Sequence, residues 1–409
     1  MGDIMMQVGA DRRGGSHRRR DGRAASSLRC TSPGDAEPEH RSDLVRDAGA
    51  RTLGGGPPRR PARKGDVVRL DVMTGGLPLR DIQDLARDVQ RSGHAGLVVT
   101  ESGRTAYLSC AAAALAADID VMTGIAVAFP RSPMVTAATA WELAEASRGR
   151  FRLGLGTQVR AHVERRYGAD FDRPGPRMRD HVLAVRACFA AFRGEAPLDH
   201  HGEFHDLTLL PRMWSPGPID VRDPPIDLAA VNPWMLRLAG ELADGVHVHP
   251  LNTRTYLEST VLPELAAGAA RSGRDAAELE VIVPAFIAVG DTDAEQHRRR
   301  DAARMQLAFY GSTPNYAFIF DQVGHEGTTD RLRERQKAGD LAGMAAVIGD
   351  ELLDEFVVTG TWSTIAAALL ARYRGTATRV VDYFGTTAWR EDPDSLQRWS
   401  AVTAELAST

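Results

Sequence analysis

The residues of this chain best suited to chemistry sit where short apolar runs end. Glu101 closes one such run and is followed by Ser102-Gly103-Arg104-Thr105. A carboxylate there can carry a proton. Arg104 stays charged near neutral pH, so it can steady an anion but cannot serve as an acid or base. His247 and His249 flank Val248, and the period of a strand puts both rings on one face. Such a pair invites zinc, which needs further ligands from other strand ends; Asp71 and Glu101 are the carboxylates on offer. Contact from His249 to a substrate or cofactor, with no metal, is the preferred reading. Leu153-Gly154-Leu155-Gly156-Thr157-Gln158 ends another run. Gly154 and Gly156 let a ligand approach the backbone, and Thr157 and Gln158 can hydrogen-bond its edge. The third glycine of a dinucleotide fingerprint is missing. Ala230-Val231-Asn232-Pro233 runs into a helix start, whose N–H groups suit a phosphate, although Asn232 can equally be a simple cap. Arg160, His162, Arg165, Arg166, Arg177 and Arg179 form either a basic rim for an acidic group or a solvated face paired with Glu164, Asp170 and Asp180.

The elements that must position these groups alternate in type. Runs rich in Val, Ile and Leu occur at Val67–Met73, Gly96–Thr100, Val121–Ala128, Arg152–Gly156, Pro225–Val231, Gly245–His249, Leu279–Val289 and Arg379–Phe384. They read as strands covered on both sides. Helical stretches lie between them, among them Leu79–Arg91, Pro133–Ser147, Met178–Phe192, Tyr256–Arg271, Ala294–Phe309 and Ile365–Tyr373. Eight strand–helix units predict an α/β fold, a (β/α)8 TIM barrel, with a doubly wound open sheet as the alternative. Two connections are too long to be simple turns: 194–224 after the fourth strand and 311–350 after the seventh. Trp214 and Tyr310 on these insertions either close over a ligand or anchor packing.

Bulk properties narrow the function. The 409 residues are 43% hydrophobic and 25% charged, with formal net charge −4. Nothing pulls such a chain toward nucleic acid or an anionic membrane, and no apolar run reaches the roughly 18 residues of a span. Residues 1–65 carry 14 Arg or Lys against 8 Asp or Glu, are rich in Gly and Pro, and read as a disordered extension to a barrel domain over 66–409. Arg18-Arg19-Arg20 is not followed by the apolar core of an export signal. Three scattered cysteines, Cys30, Cys110 and Cys188, suit a reducing, cytoplasmic setting better than a disulfide framework.

Three motifs in order carry a resemblance: Ala128-Phe129-Pro130-Arg131-Ser132-Pro133, the segment Ser147 to Gln158, and Phe309-Tyr310-Gly311-Ser312-Thr313-Pro314. From Val67 onward the chain resembles the bacterial luciferase-like oxidoreductases, on the branch that uses the deazaflavin coenzyme F420. The resemblance implies a luciferase-like barrel binding coenzyme F420, or alternatively FMN, at the carboxyl end of its strands. It implies a non-prolyl cis peptide at Gly124–Ile125 against the middle of the ring, a phosphate near Ala230, Val231 and Asn232, and family positions at His162 and Arg177. It implies hydride transfer to or from a small organic substrate, in a homodimer. Arg104 and Thr105 stand where the family commonly has a His-Asp pair, which removes an inherited proton carrier. Other readings are an FMN-dependent monooxygenase, a flavin-binding protein without turnover, and a metal hydrolase built on His247 and His249.

Overall fold

A computed structural model describes residues 68–392 and 394–408. The expected extension over 1–65 lies outside the described residues. Eight parallel strands close a barrel: β1 Arg69–Thr74, β2 Gly96–Val99, β3 Asp120–Thr123, β4 Phe151–Gly156, β5 Ile226–Ala230, β6 Gly245–Val248, β7 Glu280–Val289 and β8 Arg379–Asp382. Each pairs with the next, and β8 returns to β1 through the register Leu70↔Val380 and Asp71↔Val381. The open-sheet alternative is therefore excluded.

The helices α1 Leu79–Arg91, α2 Ala106–Ala114, α3 Pro133–Ala146, α4 Pro174–Arg193, α5 Pro233–Leu242, α6 Leu262–Arg271, α7 Asp293–Gly311, α8 Ile365–Tyr373 and α9 Ser395–Ser408 cover the outside. Their ends are specified locally. Ser132 accepts from the Val135 amide ahead of Pro133 in α3, and Thr292 with Glu295 forms a capping box on α7. Gly194 ends α4 at φ 77°, where a side chain would be strained.

Outward strand residues such as Val72, Leu97, Val121, Leu153, Leu228 and Val246 pack under the helices. The barrel interior is a second cluster of Met73, Val98, Met122, Ile282 and Val381. Beneath it, at the amino end, lies a buried ionic layer. Arg379 donates to both oxygens of Asp71 at 2.6 Å and to Asp120 at 2.7 Å. Arg152 grips Asp227 with two bonds of 2.6 and 2.8 Å, and Arg69 pairs with Glu280.

Both long insertions are present. The one after β4 carries a small hairpin, His200–His201 with Asp206–Leu207. The one after α7 holds short helices and returns as a strand, Val357–Gly360, on the outer half of β7. Neither strand pair was read from the sequence. Two- and four-residue pairings carry no periodic signal.

Candidate active site at the carboxyl end of the barrel

The run Val121–Ala128, expected as one strand, is broken. After Thr123 the chain steps out of the sheet and resumes pairing only at Ala126–Val127, opposite Leu155 and Gly156. Inside the gap the Thr123 hydroxyl takes over the ladder: it donates to the Gly154 carbonyl and accepts from the Gly154 amide, both at 2.8 Å. The step contains a cis peptide bond at Gly124–Ile125.

Glu101 pins this step. Its amide donates to the Ile125 carbonyl at 3.3 Å, and its carboxylate accepts from the Val127 amide at 2.8 Å. Arg131 closes the arrangement with two bonds to the same carboxylate, one of 3.0 Å. The Glu101 side chain is 4% exposed and that of Arg131 21%. Glu101 is thus committed to holding backbone. Arg104 and Thr105 do not join it: Arg104 is exposed, with its Cβ against Gly76, and Thr105 opens α2.

The glycines of β4 are filled from within. A Cβ on Gly154 would lie 2.0 Å from the Thr123 carbonyl and 2.6 Å from His247 Nε2; one on Gly156 would meet Ile125 at 2.7 Å. His247 occupies the barrel centre beneath Gly124 and Gly154, and burial lowers its pKa to about 4. Asp71 and Glu101, the carboxylates that zinc would need beside His247 and His249, are each locked to an arginine.

Two residues further along the chain, His249 reaches the mouth. Its Nδ1 accepts from the Leu251 amide at 3.0 Å, which leaves the ring proton on Nε2. Burial holds its pKa down at about 3. Tyr316 packs 4.3 Å and Tyr310 5.0 Å from its ring, centre to centre. Tyr310 in turn shares a hydroxyl–hydroxyl bond with Tyr383, just past β8. Burial raises both phenols above their ordinary range. Tyr316 and Tyr383 escaped the sequence reading. Tyr383 had a signal, since it follows the inward Val381 by two residues; Tyr316 had none.

At the end of β4, Gln158 adopts φ 58° and caps the amide of Val159 at 2.9 Å, while the Thr157 hydroxyl donates to the Gln158 carbonyl. Beyond β5, the Val231 carbonyl accepts from Tyr256 at 2.6 Å. Asn232 is extended at φ −86°, not left-handed, and its side chain caps the Met235 amide at 3.0 Å. Pro233 has no N–H, so the amides of Asn232 and Trp234 are what this helix start can offer an anion. His162 and Arg177 stand outside the mouth. His162 lies in the short helix Arg160–Arg165, and Arg177 stacks on Phe204 and Phe129. Arg177 and Arg160 border a surface hollow of about 560 Å³ with Phe171 and Asp172. Glu164 holds Arg160, as the solvated-face reading expected, but Asp180 is buried and accepts from His200 and the amides of Phe204 and His205, while Arg179 pairs with Glu241.

The model of the luciferase-like monooxygenase family matches residues 66–379. The chain belongs to this family. Luciferase-like proteins of this kind are enzymes of the oxidoreductase type. An uncharacterized protein from Mycobacterium tuberculosis is 37% identical over 315 residues, covering 76% of this chain and 93% of that protein. The 5,10-methylenetetrahydromethanopterin reductase of Archaeoglobus fulgidus is 28% identical over 265 residues, 63% of this chain and 74% of its own. The coenzyme F420-dependent tetrahydromethanopterin reductase from Methanopyrus kandleri shares the fold, with TM-score 0.65 at 18% identity over 82% of this chain and 97% of that one. The luciferase-like barrel expected from the motifs is the one observed. No described helix is long and apolar enough to cross a membrane.

Proposed function

We propose that this protein is a coenzyme F420-dependent oxidoreductase acting on a small organic substrate. The observation that carries the reading is the opened β3–β4 seam at the carboxyl end of the barrel, facing a neutral aromatic wall on β6–β8. In an eight-stranded barrel β3 stands across from β7, so a flat ring lying between them has backbone on one side and side chains on the other.

The residues fit a polar-edged ring with a phosphate tail. Ile125 would back the ring, and Thr157 and Gln158 would hydrogen-bond its edge. Val231 and Asn232 would border the phosphate, reached by the amides of Asn232 and Trp234. Arg177 and His162 would face an acidic extension. When bound, the deazaflavin supplies hydride chemistry; the protein supplies orientation, a dry pocket and donors. His249 offers an N–H there, and Glu101 fixes the backbone from behind rather than moving protons. A relative named as a putative coenzyme F420-dependent oxidoreductase supports coenzyme F420 over FMN. A homodimer acting in the cytoplasm completes the proposal.

Fluorescence titration of the purified protein with coenzyme F420 and with FMN tests it. Binding of coenzyme F420 at least tenfold tighter than FMN is expected. Tight FMN binding without coenzyme F420 binding would instead establish the flavin monooxygenase. Asn232→Asp keeps the cap but adds a negative charge, so it should weaken cofactor binding about tenfold if the phosphate lies there. Unchanged affinity would take Asn232 out of the site.

A further inference from the structure

The sequence pointed to His249 and Tyr310 separately; the structure joins them with Tyr316 and Tyr383 into one wall. It is built from three parts of the chain: the end of β6, the insertion that begins at the end of α7, and the end of β8. The bond between the Tyr310 and Tyr383 hydroxyls ties the insertion to the barrel. All four residues are half-buried, so none is sealed inside the core. Their further ring neighbours are Phe309, Phe286 and Phe384, all apolar.

The wall is rich in hydrogen-bond donors and poor in charge. Two phenols share a single bond between them, so one hydroxyl proton remains to give away. His249 adds its Nε2–H, since Nδ1 is taken by Leu251. Every one of these groups is neutral through the physiological range: burial pushes the phenols up and the imidazole down. The arginines named above on the carboxyl side of the strands, Arg104, Arg131, Arg160 and Arg177, lie on the segments that follow β2, β3 and β4 instead. A carboxylate brought against this wall would lose its water and find no cation. A neutral oxygen would find two kinds of donor, and an attached apolar ring would find aromatic faces.

We propose that His249, Tyr310, Tyr316 and Tyr383 form the substrate subsite, and that it takes an uncharged carbonyl or hydroxyl compound carrying an apolar ring, its oxygen held by the phenol pair and His249. The inference rests on the proposed function for the identity of the cofactor, but binding alone reads it.

The test uses the full-length protein with and without coenzyme F420, and two matched probes, acetophenone and benzoate, followed by calorimetry. Acetophenone should bind at least tenfold tighter than benzoate. Tyr310→Phe and Tyr383→Phe together, which remove every hydroxyl of the pair, should weaken acetophenone about tenfold, the worth of one hydrogen bond. The same double variant should leave ethylbenzene, which lacks the oxygen, within twofold, and cofactor affinity likewise. Benzoate binding as tightly as acetophenone, or a double variant that leaves acetophenone unchanged, would overturn the subsite. Should the variant fail to fold, the wild-type preference between the two probes still decides. Acetophenone preference with neither cofactor bound would sink the proposed function and spare the subsite. Cofactor binding without that preference would do the reverse.

Discussion

The ion pair between Glu101 and Arg131 separates a structural from a catalytic carboxylate. Glu101→Gln keeps the volume and one oxygen for the Val127 amide but removes the charge that two Arg131 bonds use. Hydrogen bonds to charged groups are worth about 1.5–3 kcal/mol each. Arg131 is 21% exposed and can partly rehydrate, so the net loss is set near the low end, about 2 kcal/mol. With an unfolding entropy of about 2.1 cal/mol/K per residue over roughly 340 residues, that lowers the Tm by about 3 °C. Arg131→Met is worse, because it strands a carboxylate that is 4% exposed; about 3–4 kcal/mol, or about 5 °C, is expected. The double variant strands no charge and should cost little more than Glu101→Gln, giving a coupling energy of about 3 kcal/mol. Thermal unfolding of the four proteins measures this, and titration with coenzyme F420 adds a second reading, a weakening of about tenfold in Glu101→Gln as the pinned backbone loosens. Costs that add to within about 0.5 kcal/mol would refute the pairing argument. Wild-type Tm and affinity with turnover abolished would return Glu101 to the role of proton carrier.

Three further outcomes follow from the core. Arg379→Met leaves Asp71 buried and unpaired, so it should destabilise by about 3–5 kcal/mol, and adding Asp71→Asn should recover part of that loss in a thermal melt. No recovery would mean the ionic layer is not held pairwise. Gly154→Ala sets a methyl 2.0 Å from the Thr123 carbonyl, so it should cost at least about 3 kcal/mol or the fold itself. Gly156→Ala meets the side chain of Ile125 at 2.7 Å and Ala229 at an ordinary 3.4 Å, with no backbone in the way, and should be milder; equal Tm values would contradict the geometry. His181 is buried with neither ring nitrogen bonded, and burial lowers its pKa to about 3. The unfolded chain takes that proton near pH 6.5, so between about 6.5 and 3 it binds more protons than the folded one. Stability is then full above pH 6.5 and is lost as pH falls. His181→Phe should flatten the loss by up to about 1.4 kcal/mol per pH unit between pH 6 and 4, measured by urea unfolding; an unchanged slope would rule out His181 as its source.

The barrel was legible because parallel strands buried on both faces leave continuous Val, Ile and Leu runs, and those runs marked all eight. The break in β3 was not legible in the pattern, where Met122-Thr123-Gly124-Ile125 reads as unbroken strand; only the family resemblance pointed to Gly124–Ile125, and the bond that replaces the ladder runs from Thr123 to Gly154, 31 residues away. The glycines of β4 were noticed for the right position and the wrong neighbour: the side chain that fills Gly154 is His247, two strands further round the barrel on β6. Glu101 read as a reactive acid because nothing local names Arg131 as its partner. His249 was placed at the mouth by period two alone, whereas Tyr316 lies on an insertion that no periodicity governs. Burial and partnership are properties of the closed barrel, and a linear pattern carries them only where the neighbour is a few residues off.

The ionic layer and the plug of Met73, Val98, Met122, Ile282 and Val381 make the tube a cul-de-sac. A reactant entering the barrel must come and go by one door. If a ring first lies along the β3–β4 seam, the second reactant has to arrive over it and depart before the ring can be exchanged. Traffic, rather than chemistry, then imposes a strict order of binding, and the insertion carrying Tyr310 and Tyr316 stands at that door as its hinge-side jamb.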